Sequence, residues 1–184
     1  QVMYVWCDAL TNYLTGIGYP NKKYETWWPA DVHVVGKDMH RFHAGIWPGM
    51  LLSAGIPLPK RLLTHGFLTV NGQKMSKSTG NTIDPFEIIE KYGVDAARYY
   101  FLREIPSGQD GDVSEKAMLE RYNSELANEF GNLVSRVAGM ITKYYGGEIP
   151  RGKVKLKAKL PHGLVKNFEI NRAAENIWGF IRKV

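Results

Sequence analysis

The sequence has one cysteine and no long apolar run. Cys7 is the single cysteine among 184 residues, which excludes an intrachain disulfide framework and any cysteine-based zinc knuckle. No stretch approaches the roughly 20 apolar residues of a membrane-spanning helix, so we expect no membrane partner and a reducing, cytoplasmic setting. An initiator methionine and a signal peptide are also missing before Gln1. We therefore expect a fragment of a longer protein.

The composition is that of a globular chain with a basic excess. Hydrophobic residues make up 44% and charged residues 23%, with a net charge of +6 and a pI near 9.3. This balance is compatible with a polyanionic partner such as RNA. Five of the cations alternate with small or apolar residues from Arg151 to Lys159. That segment predicts either a solvated linker or a track for an RNA backbone.

Strand and helix patterns alternate in the first half of the chain. The β-branched, apolar runs predict short strands at Val2–Cys7, Asp31–Gly36 and Leu62–His65. Met39–Ala54 has apolar residues at helical spacing, and Pro48 should kink that helix. The alternation predicts a doubly wound α/β sheet. Ligands bind outside the carboxyl ends of the strands in such sheets.

Shorter elements complete the first half. Asp8 is positioned to cap a helical stretch over residues 9–14, and residues 22–28 form a second short helix candidate before Pro29. Asn71-Gly72 is a strong signal for a two-residue hairpin turn. We therefore expect residues 67–70 to lead into a hairpin.

The second half is helical. Asp84-Pro85-Phe86-Glu87 has an N-cap, a proline at the first helical position and a capping-box acid. We expect that helix to end at Gly93, and further helices at residues 95–103, from Ser114 to about Tyr145, and from Phe168 through Val184, with a linker at 106–112. These patterns predict part of an α/β domain, a helical connector and the first helices of an α-helical bundle.

A basic loop lies between the two halves. Lys74 and Lys77 alternate there with Ser76 and Ser78, and no acid interrupts them. Such a loop can reach over an anion and release it, or it can be an exposed basic turn. The stretch Lys-Met-Ser-Lys-Ser resembles, residue for residue, the signature loop of class I aminoacyl-tRNA synthetases.

Three further stretches, in the same chain order, resemble the methionyl-tRNA synthetase family within that class. They are Trp6-Cys7-Asp8-Ala9-Leu10-Thr11-Asn12-Tyr13, then Gly36-Lys37-Asp38-Met39-His40-Arg41-Phe42-His43 with Trp47-Pro48, then His65-Gly66-Phe67-Leu68-Thr69-Val70. The resemblance implies the C-terminal part of a doubly wound, Rossmann-type nucleotide-binding domain followed by an α-helical bundle that binds the anticodon. The implied domains are 1–82 (catalytic), 83–112 (connector and stem contact) and 113–184 (anticodon bundle, incomplete).

The resemblance also implies a two-step reaction. Methionine attacks the α-phosphate of ATP, with Mg²⁺, to give methionyl-adenylate, and the methionyl group then passes to tRNA(Met). Lys77 and Lys74 would stabilise phosphate charge, with Ser76 and Ser78 as donors. Asp38 would accept the ribose hydroxyls, although its position after a strand equally suits a helix cap. The implied ATP set is Gly36, Asp38, His65, Leu68, Lys74, Ser76, Lys77 and Ser78.

Methionine offers a flexible apolar chain and one weakly accepting sulfur. The family's pocket positions correspond to Trp6, Ala9, Leu10, Tyr13, Phe42 and His43. Ordinary core packing is the alternative for these residues, most of all for Phe42. Leu10 stands where some family members carry proline.

Asn132 and Arg136 resemble the family's anticodon-reading positions. They are four residues apart on a helix and therefore project from one face. The alternative is that this face is simply exposed to solvent and binds nothing. His40 and His43 have helical spacing that zinc ligands also use, but no third ligand matches. We expect no metal site in the chain, and zinc only in a preceding insertion.

The other class I signature, a His-Ile-Gly-His type motif, is not found in the sequence. The resemblance places it in the N-terminal half of the same enzyme, so we expect the 184 residues to be inactive without that half. Three alternatives remain: another class I synthetase, a tRNA-independent nucleotidylyltransferase of related fold, or a non-catalytic tRNA-binding module.

Overall fold

The computed structural model describes residues 5–75, 80–149, 151–152 and 161–183. The chain divides into two compact units, Gln1–Phe67 and Leu68–Val184. The predicted domains at 1–82, 83–112 and 113–184 were drawn by function, whereas this division follows the compactness of the chain. The predicted domain boundaries stay predictions. The basic residues 153–160 lie outside the described part of the chain.

The first unit joins helices to a pair of parallel strands. Helix α1 spans Val5–Thr15, strand β1 His33–Gly36, helix α2 Trp47–Ser53 and strand β2 Leu62–His65, with a short 3₁₀ helix at Lys22–Thr26. Strands β1 and β2 pair in parallel, with His33 opposite Leu62 and Gly36 opposite His65. The predicted strands at Asp31–Gly36 and Leu62–His65 are confirmed, as is their parallel arrangement.

The core of the first unit lies between α1, the 3₁₀ helix and α2. Its buried members are Leu10, Leu14, Trp28, Phe42, Trp47, Leu51 and Ile56. Leu10 and Leu14 are four residues apart, so one face of α1 supplies both. Burial of large apolar side chains is the main stabilising contribution here.

The predicted strand at Val2–Cys7 is wrong over its described residues. Val5–Cys7 form the first turn of α1, and Asp8 lies inside the helix instead of capping it. The local letters favour a strand, but Trp6, Leu10 and Leu14 recur at helical spacing and pack against the core. Tertiary packing therefore overrides the β preference of the individual residues.

The predicted helix over Met39–Ala54 is present and changes type just before Pro48, while the kink predicted at Pro48 stays a prediction. A π-helical segment spans Phe42–Ile46 and continues directly into α2. Pro48 lies in the first turn of α2 but inside this continuous helical run, so it donates no N–H to the carbonyls of the turn before it. Proline and π-helical turns are both recognised sources of helix bends.

The second unit begins with a three-stranded sheet. Strand β3 spans Leu68–Val70, β4 Gln73–Lys74 and β5 Gly111–Asp112, in the order β4-β3-β5. The hairpin β3–β4 has the predicted Asn71-Gly72 turn, with φ of 53° and 73° at those two residues. Strand β5 was not predicted, because residues 106–112 are rich in turn formers and indicate only a linker.

The helices of the second unit follow their predicted caps. Helix α3 spans Pro85–Tyr92, α4 Val94–Glu104, α5 Glu115–Arg121 and α6 Asn132–Tyr145. The Asp84 carboxylate accepts from the Phe86 amide at 2.8 Å, and the Ser114 hydroxyl accepts from the Ala117 amide at 3.1 Å. A π-helical segment at Tyr122–Gly131 joins α5 to α6, so the long predicted helix changes type midway.

Helix α7 at His162–Lys166 and helix α8 at Ile170–Ile181 complete the described chain. The prediction that the last helix runs through Val184 is wrong, because α8 ends at Ile181 and residues 182–183 form a turn. Val184 lies outside the described residues. None of the described helices has the length and apolar character needed to cross a membrane.

Candidate functional site

An aromatic cluster forms where α1 meets the π-helical segment. The rings of Trp6 and Phe42 stack with centroids 4.1 Å apart and an interplanar angle of 15°. Two turns further along α1, Tyr13 meets the ring of Trp47 at 6.0 Å. Helical spacing thus brings the predicted methionine residues Trp6 and Tyr13 onto one face, opposite Phe42 and His43.

A hydrogen bond joins Tyr13 to His43 in this cluster. The Tyr13 hydroxyl lies 2.8 Å from His43 Nε2, and His43 Nδ1 lies 2.9 Å from the Met39 carbonyl. A carbonyl only accepts, so Nδ1 carries the hydrogen, and in the neutral imidazole Nε2 accepts from the Tyr13 hydroxyl. Burial raises the pKa of Tyr13 above its usual value, which keeps this donor protonated.

The other two predicted methionine residues differ in their surroundings. Leu10 is fully buried in the core, whereas Ala9 is exposed on α1. A cavity of about 280 Å³ is lined by Tyr13 together with Trp27, Trp28 and His33. Tyr13 is the one predicted methionine residue that lines it.

His33 is a buried residue that the sequence patterns did not single out. Its ring meets Tyr13 edge-on at 4.4 Å and Trp28 at 5.8 Å. Nε2 of His33 is buried without a hydrogen-bond partner among the described residues. Burial, and the neighbouring His43, lower the pKa of His33 below its usual value, which favours the neutral ring. The signal was the alternation of β1, which buries His33 and Val35 and exposes Val34.

The carboxyl ends of β1 and β2 bring together Gly36, Asp38 and His65. Gly36 pairs with His65, and the Lys37 amide donates to the His65 carbonyl at 2.9 Å. A Cβ at Gly36 would lie 2.9 Å from Asp38 Oδ1 and 3.8 Å from His65 Cε1. Glycine is therefore needed for the carboxylate of Asp38 to approach the strand end closely.

His65 has a defined orientation at this edge. Its Nδ1 lies 2.8 Å from the Gly66 carbonyl, so Nδ1 donates and the neutral ring leaves Nε2 as an acceptor. The exposed carboxylate of Asp38 and this imidazole give the edge two acceptors for hydroxyl groups. That is the chemistry a ribose requires.

His40 does not join His43 in a common site. His40 Nδ1 lies 2.7 Å from the Thr64 hydroxyl, on β2, whereas His43 faces Tyr13. Over residues 5–75, 80–149, 151–152 and 161–183, no group of three or more His, Cys, Asp or Glu side chains is arranged to hold a metal ion.

The second unit contains the remaining predicted residues. Leu68 is partly exposed on β3, and Lys74 is exposed at the end of β4. Ser76, Lys77 and Ser78 lie outside the described residues. Their predicted roles in ATP binding remain predictions.

Asn132 and Arg136 lie on one face of α6, as predicted. Both are exposed and line a groove of about 730 Å³ together with Glu129 and Arg182. The Arg182 Nε donates to Glu129 Oε2 at 2.9 Å across this groove. The Asn132 amide and the Arg136 guanidinium can hydrogen-bond bases and hold phosphates, whereas Arg182 is paired with Glu129 and Glu175.

The mixed α/β fold has the motifs at its strand ends, and the β3–β4 hairpin (Leu68–Lys74, the signature hairpin) leads into the signature stretch. This combination is that of the class I tRNA synthetases. Residues 1–138 match the family described as tRNA synthetases class I (M). The chain belongs to this family, and the resemblance drawn from the four motifs is confirmed.

The relatives are methionine–tRNA ligases. That of Thermotoga maritima is 46% identical over 198 residues, covering 100% of this chain and 32% of its own length. That of Brucella suis is 55% identical over 153 residues, covering 82% of this chain and 30% of its own length. The chain thus spans about a third of the length of these curated relatives.

Solved structures agree with this assignment. The crystal structure of Mycobacterium tuberculosis methionyl-tRNA synthetase bound by methionyl-adenylate is similar with a TM-score of 0.86 and 45% identity, covering 98% of this chain and 38% of that chain. The apo form of the same M. tuberculosis enzyme gives a TM-score of 0.81 at 42% identity.

Proposed function

We propose that the full-length protein attaches L-methionine to tRNA(Met) through a methionyl-adenylate intermediate. The observation that carries this proposal is the Tyr13–His43 hydrogen bond inside the cluster of Trp6, Phe42 and Trp47. One polar point among aromatic rings suits a flexible apolar side chain with a weakly polar sulfur. The relatives are methionine–tRNA ligases, and they and the adenylate-bound M. tuberculosis structure support the same substrate.

The first step makes an acyl–phosphate bond. A carboxylate oxygen of methionine attacks the α-phosphorus of ATP, the bond from that phosphorus to the bridging oxygen breaks, and pyrophosphate leaves with the bonding pair. In the second step, a ribose hydroxyl at the 3′ end of the tRNA attacks the acyl carbon and AMP leaves. Charge on the phosphates increases at the leaving oxygen, where preorganised cations and donors lower the barrier.

Gly36, Asp38 and His65 are assigned to the ribose and its neighbourhood. Asp38 is exposed at the end of β1, and the absence of a side chain at Gly36 gives it room. A carboxylate accepts two hydroxyl groups at once, so the residues present fit a ribose. Ligands at strand ends are the rule in open α/β sheets.

Leu68 and the signature stretch are assigned to the rest of ATP. The backbone of Leu68 offers the donor and acceptor pair that adenine needs. Lys74 and Lys77 supply positive charge to the phosphates, with Ser76 and Ser78 as donors, and ATP enters with Mg²⁺ on its phosphates. These assignments follow from the family motif at the matching positions of this sequence.

Asn132 and Arg136 are assigned to the tRNA anticodon. Their common face and the groove beside Arg182 suit single-stranded bases. With them we propose the larger arrangement: a Rossmann-type catalytic domain, a connector and an α-helical anticodon bundle in a cytoplasmic enzyme.

Aminoacylation of tRNA tests this function. The full-length protein should charge tRNA(Met) with methionine, and charging with isoleucine or valine should be at least about 100-fold slower, as pocket discrimination between apolar side chains allows. Activation of methionine without transfer to tRNA would favour a tRNA-independent nucleotidylyltransferase. Charging with isoleucine or valine at the methionine rate would contradict the assignment of the pocket.

A further inference from the structure

The hairpin that leads into the signature stretch is too short to be stable alone. Strand β4 has two residues, and β3 has three. Isolated two-stranded hairpins are marginal in water even when they are longer. Other groups must therefore fix the position of Lys74, the last residue of β4.

Strand β5 supplies the first of these groups. Leu68 and Thr69 of β3 pair in parallel with Gly111 and Asp112 of β5, and Thr69 also pairs with Lys74. The Val113 amide donates to the Thr69 carbonyl at 2.8 Å. Thr69 is thus the common partner of the signature hairpin and of β5.

The Asp112 carboxylate extends this contact from the strand to the turn. Asp112 Oδ1 accepts from the Thr69 hydroxyl at 2.8 Å and from the Gly72 amide at 2.8 Å. Backbone amides inside a tight turn have no cross-strand partner of their own, so an acceptor there satisfies a group the hairpin leaves open. These two hydrogen bonds hold the pKa of Asp112 below its usual value.

The backbone at β5 is built for a close approach. A Cβ at Gly111 would lie 2.5 Å from the Ile105 side chain, so a larger residue would push β5 away from the end of α4. On the other side of the signature stretch, the Asn81 side chain donates to the Lys74 carbonyl at 3.2 Å. Lys74 is therefore held from the turn side through Thr69 and from the far side by Asn81.

We propose that Asp112 is a positioning residue for the ATP step: it fixes the turn and β3 of the signature hairpin, and through Thr69 the position of Lys74. The inference rests on the proposed function. Nothing in the sequence patterns marks Asp112, because it lies in a stretch of turn formers forty residues beyond the hairpin turn at Gly72.

The test is pyrophosphate exchange with the full-length protein carrying Asp112→Ala. The kcat should fall about tenfold, the size expected for losing hydrogen bonds that orient a catalytic group. The KM for methionine should change less than about twofold, because a fault confined to the hairpin leaves amino-acid binding intact. Asp112→Asn keeps an acceptor oxygen and should restore kcat to within about threefold of the parent. Amide hydrogen exchange over residues 68–75 should quicken in the alanine variant and recover in the asparagine variant.

Matched variants separate positioning from folding. Asp95→Ala removes an exposed carboxylate from the first turn of α4 and should leave kcat unchanged. If Asp112→Ala does not fold, Thr69→Val removes one of the two donors and should lower kcat about threefold, whereas Thr69→Ser should not. If the parent exchanges pyrophosphate and the kcat of Asp112→Ala or of Thr69→Val equals that of the parent, this inference is wrong while the proposed function stands. A full-length parent without methionine-dependent exchange overturns the proposed function and the inference with it.

Discussion

Tyr13 and His43 share a hydrogen bond of 2.8 Å between residues thirty positions apart in the sequence. The Met39 carbonyl orients the imidazole from its other nitrogen, and the ring of His33 meets Tyr13 edge-on. The Tyr13 side chain is therefore held by His33 on β1, through its ring, and by His43 on the π-helical segment, through its hydroxyl. This relationship sets the polar point of the proposed methionine pocket.

Tyr13→Phe tests that polar point. Loss of one neutral hydrogen bond is worth about 1 kcal/mol, so the KM for methionine in pyrophosphate exchange should rise about fivefold. In the free pocket the hydroxyl hydrogen is donated to His43 Nε2, so recognition of the sulfur requires it to turn from that ring to the ligand. Norleucine lacks the sulfur, and its KM should change less. Tyr19→Phe removes a hydroxyl from the same unit and serves as the control. If the KM values for methionine and norleucine rise equally, Tyr13 does not recognise the sulfur.

The stability of the first unit should depend on His33 and on pH. Its pKa is lowered in the folded protein by burial and by His43, so the unfolded chain binds more protons than the folded chain just below the usual pKa of 6.5. The free energy of unfolding should therefore fall as the pH drops below that value, until the folded-state pKa is passed. Thermal unfolding between neutral and mildly acidic pH measures this slope.

His33→Phe removes the titrating group and keeps a ring against Tyr13. The pH slope should become smaller in this variant, whatever its unfolding temperature at neutral pH. An unchanged slope would show that other groups cause the acid sensitivity.

Glu125 should be a main determinant of stability in the second unit. Its side chain is 3% exposed and pairs with Arg103 at 3.1 Å and Arg121 at 2.8 Å, with a hydrogen bond from Tyr99. Burial alone would raise the pKa of Glu125, but the Tyr99 hydrogen bond and the two arginines outweigh it and hold the pKa below its usual value.

Glu125→Gln leaves the partly enclosed arginines without their shared counter-charge. Removing one partner of a buried pair costs about 3 kcal/mol or more, which urea unfolding can measure. Glu148→Gln, at an exposed position after α6, should change stability by less than about 0.5 kcal/mol. A similar small effect at Glu125 would contradict its role.

Elements with local signals were predictable from the sequence. The caps Asp84 and Ser114 and the Asn71-Gly72 turn each have a mechanism that acts within a few residues. The β-branched, apolar runs of β1 and β2 are likewise local signals of buried strands. The contacts of β5 were not predictable in the same way. Asp112 gains its role from a pairing with β3, some forty residues away, and no local pattern carries that information.

The residues of the candidate site also divide into those that a local motif identifies and those that only the folded structure identifies. Motif spelling identified Trp6, Tyr13, Asp38 and His43, and the structure brings Tyr13 against His43. Sequence analysis did not identify His33, because a single histidine in a strand belongs to no recognisable motif. Its role follows only from its burial and from its edge-on contact with Tyr13. The start of α1 was predicted wrongly as a strand. The β-branched and aromatic residues near Val5 were given more weight than the helical spacing of apolar residues that begins at Trp6.

Lys77→Ala tests the signature stretch. By analogy with losing one preorganised donor to a developing charge, the exchange rate of the full-length protein should fall about 100-fold, roughly 3 kcal/mol. Lys91→Ala is a control, because this exposed lysine on α3 pairs with Glu115 and has no assigned part in the reaction. A rate for Lys77→Ala within about threefold of the parent would remove Lys77 from the ATP step.

The most direct measurement is amino-acid-dependent exchange of pyrophosphate into ATP by the full-length protein. We predict exchange with methionine, weaker exchange with norleucine, and exchange with isoleucine and valine at least about 100-fold lower in kcat/KM. That pattern would show that the chain's aromatic cluster and strand-end carboxylate serve methionine activation. Exchange that does not depend on methionine, or that is as fast with isoleucine or valine, would contradict the account.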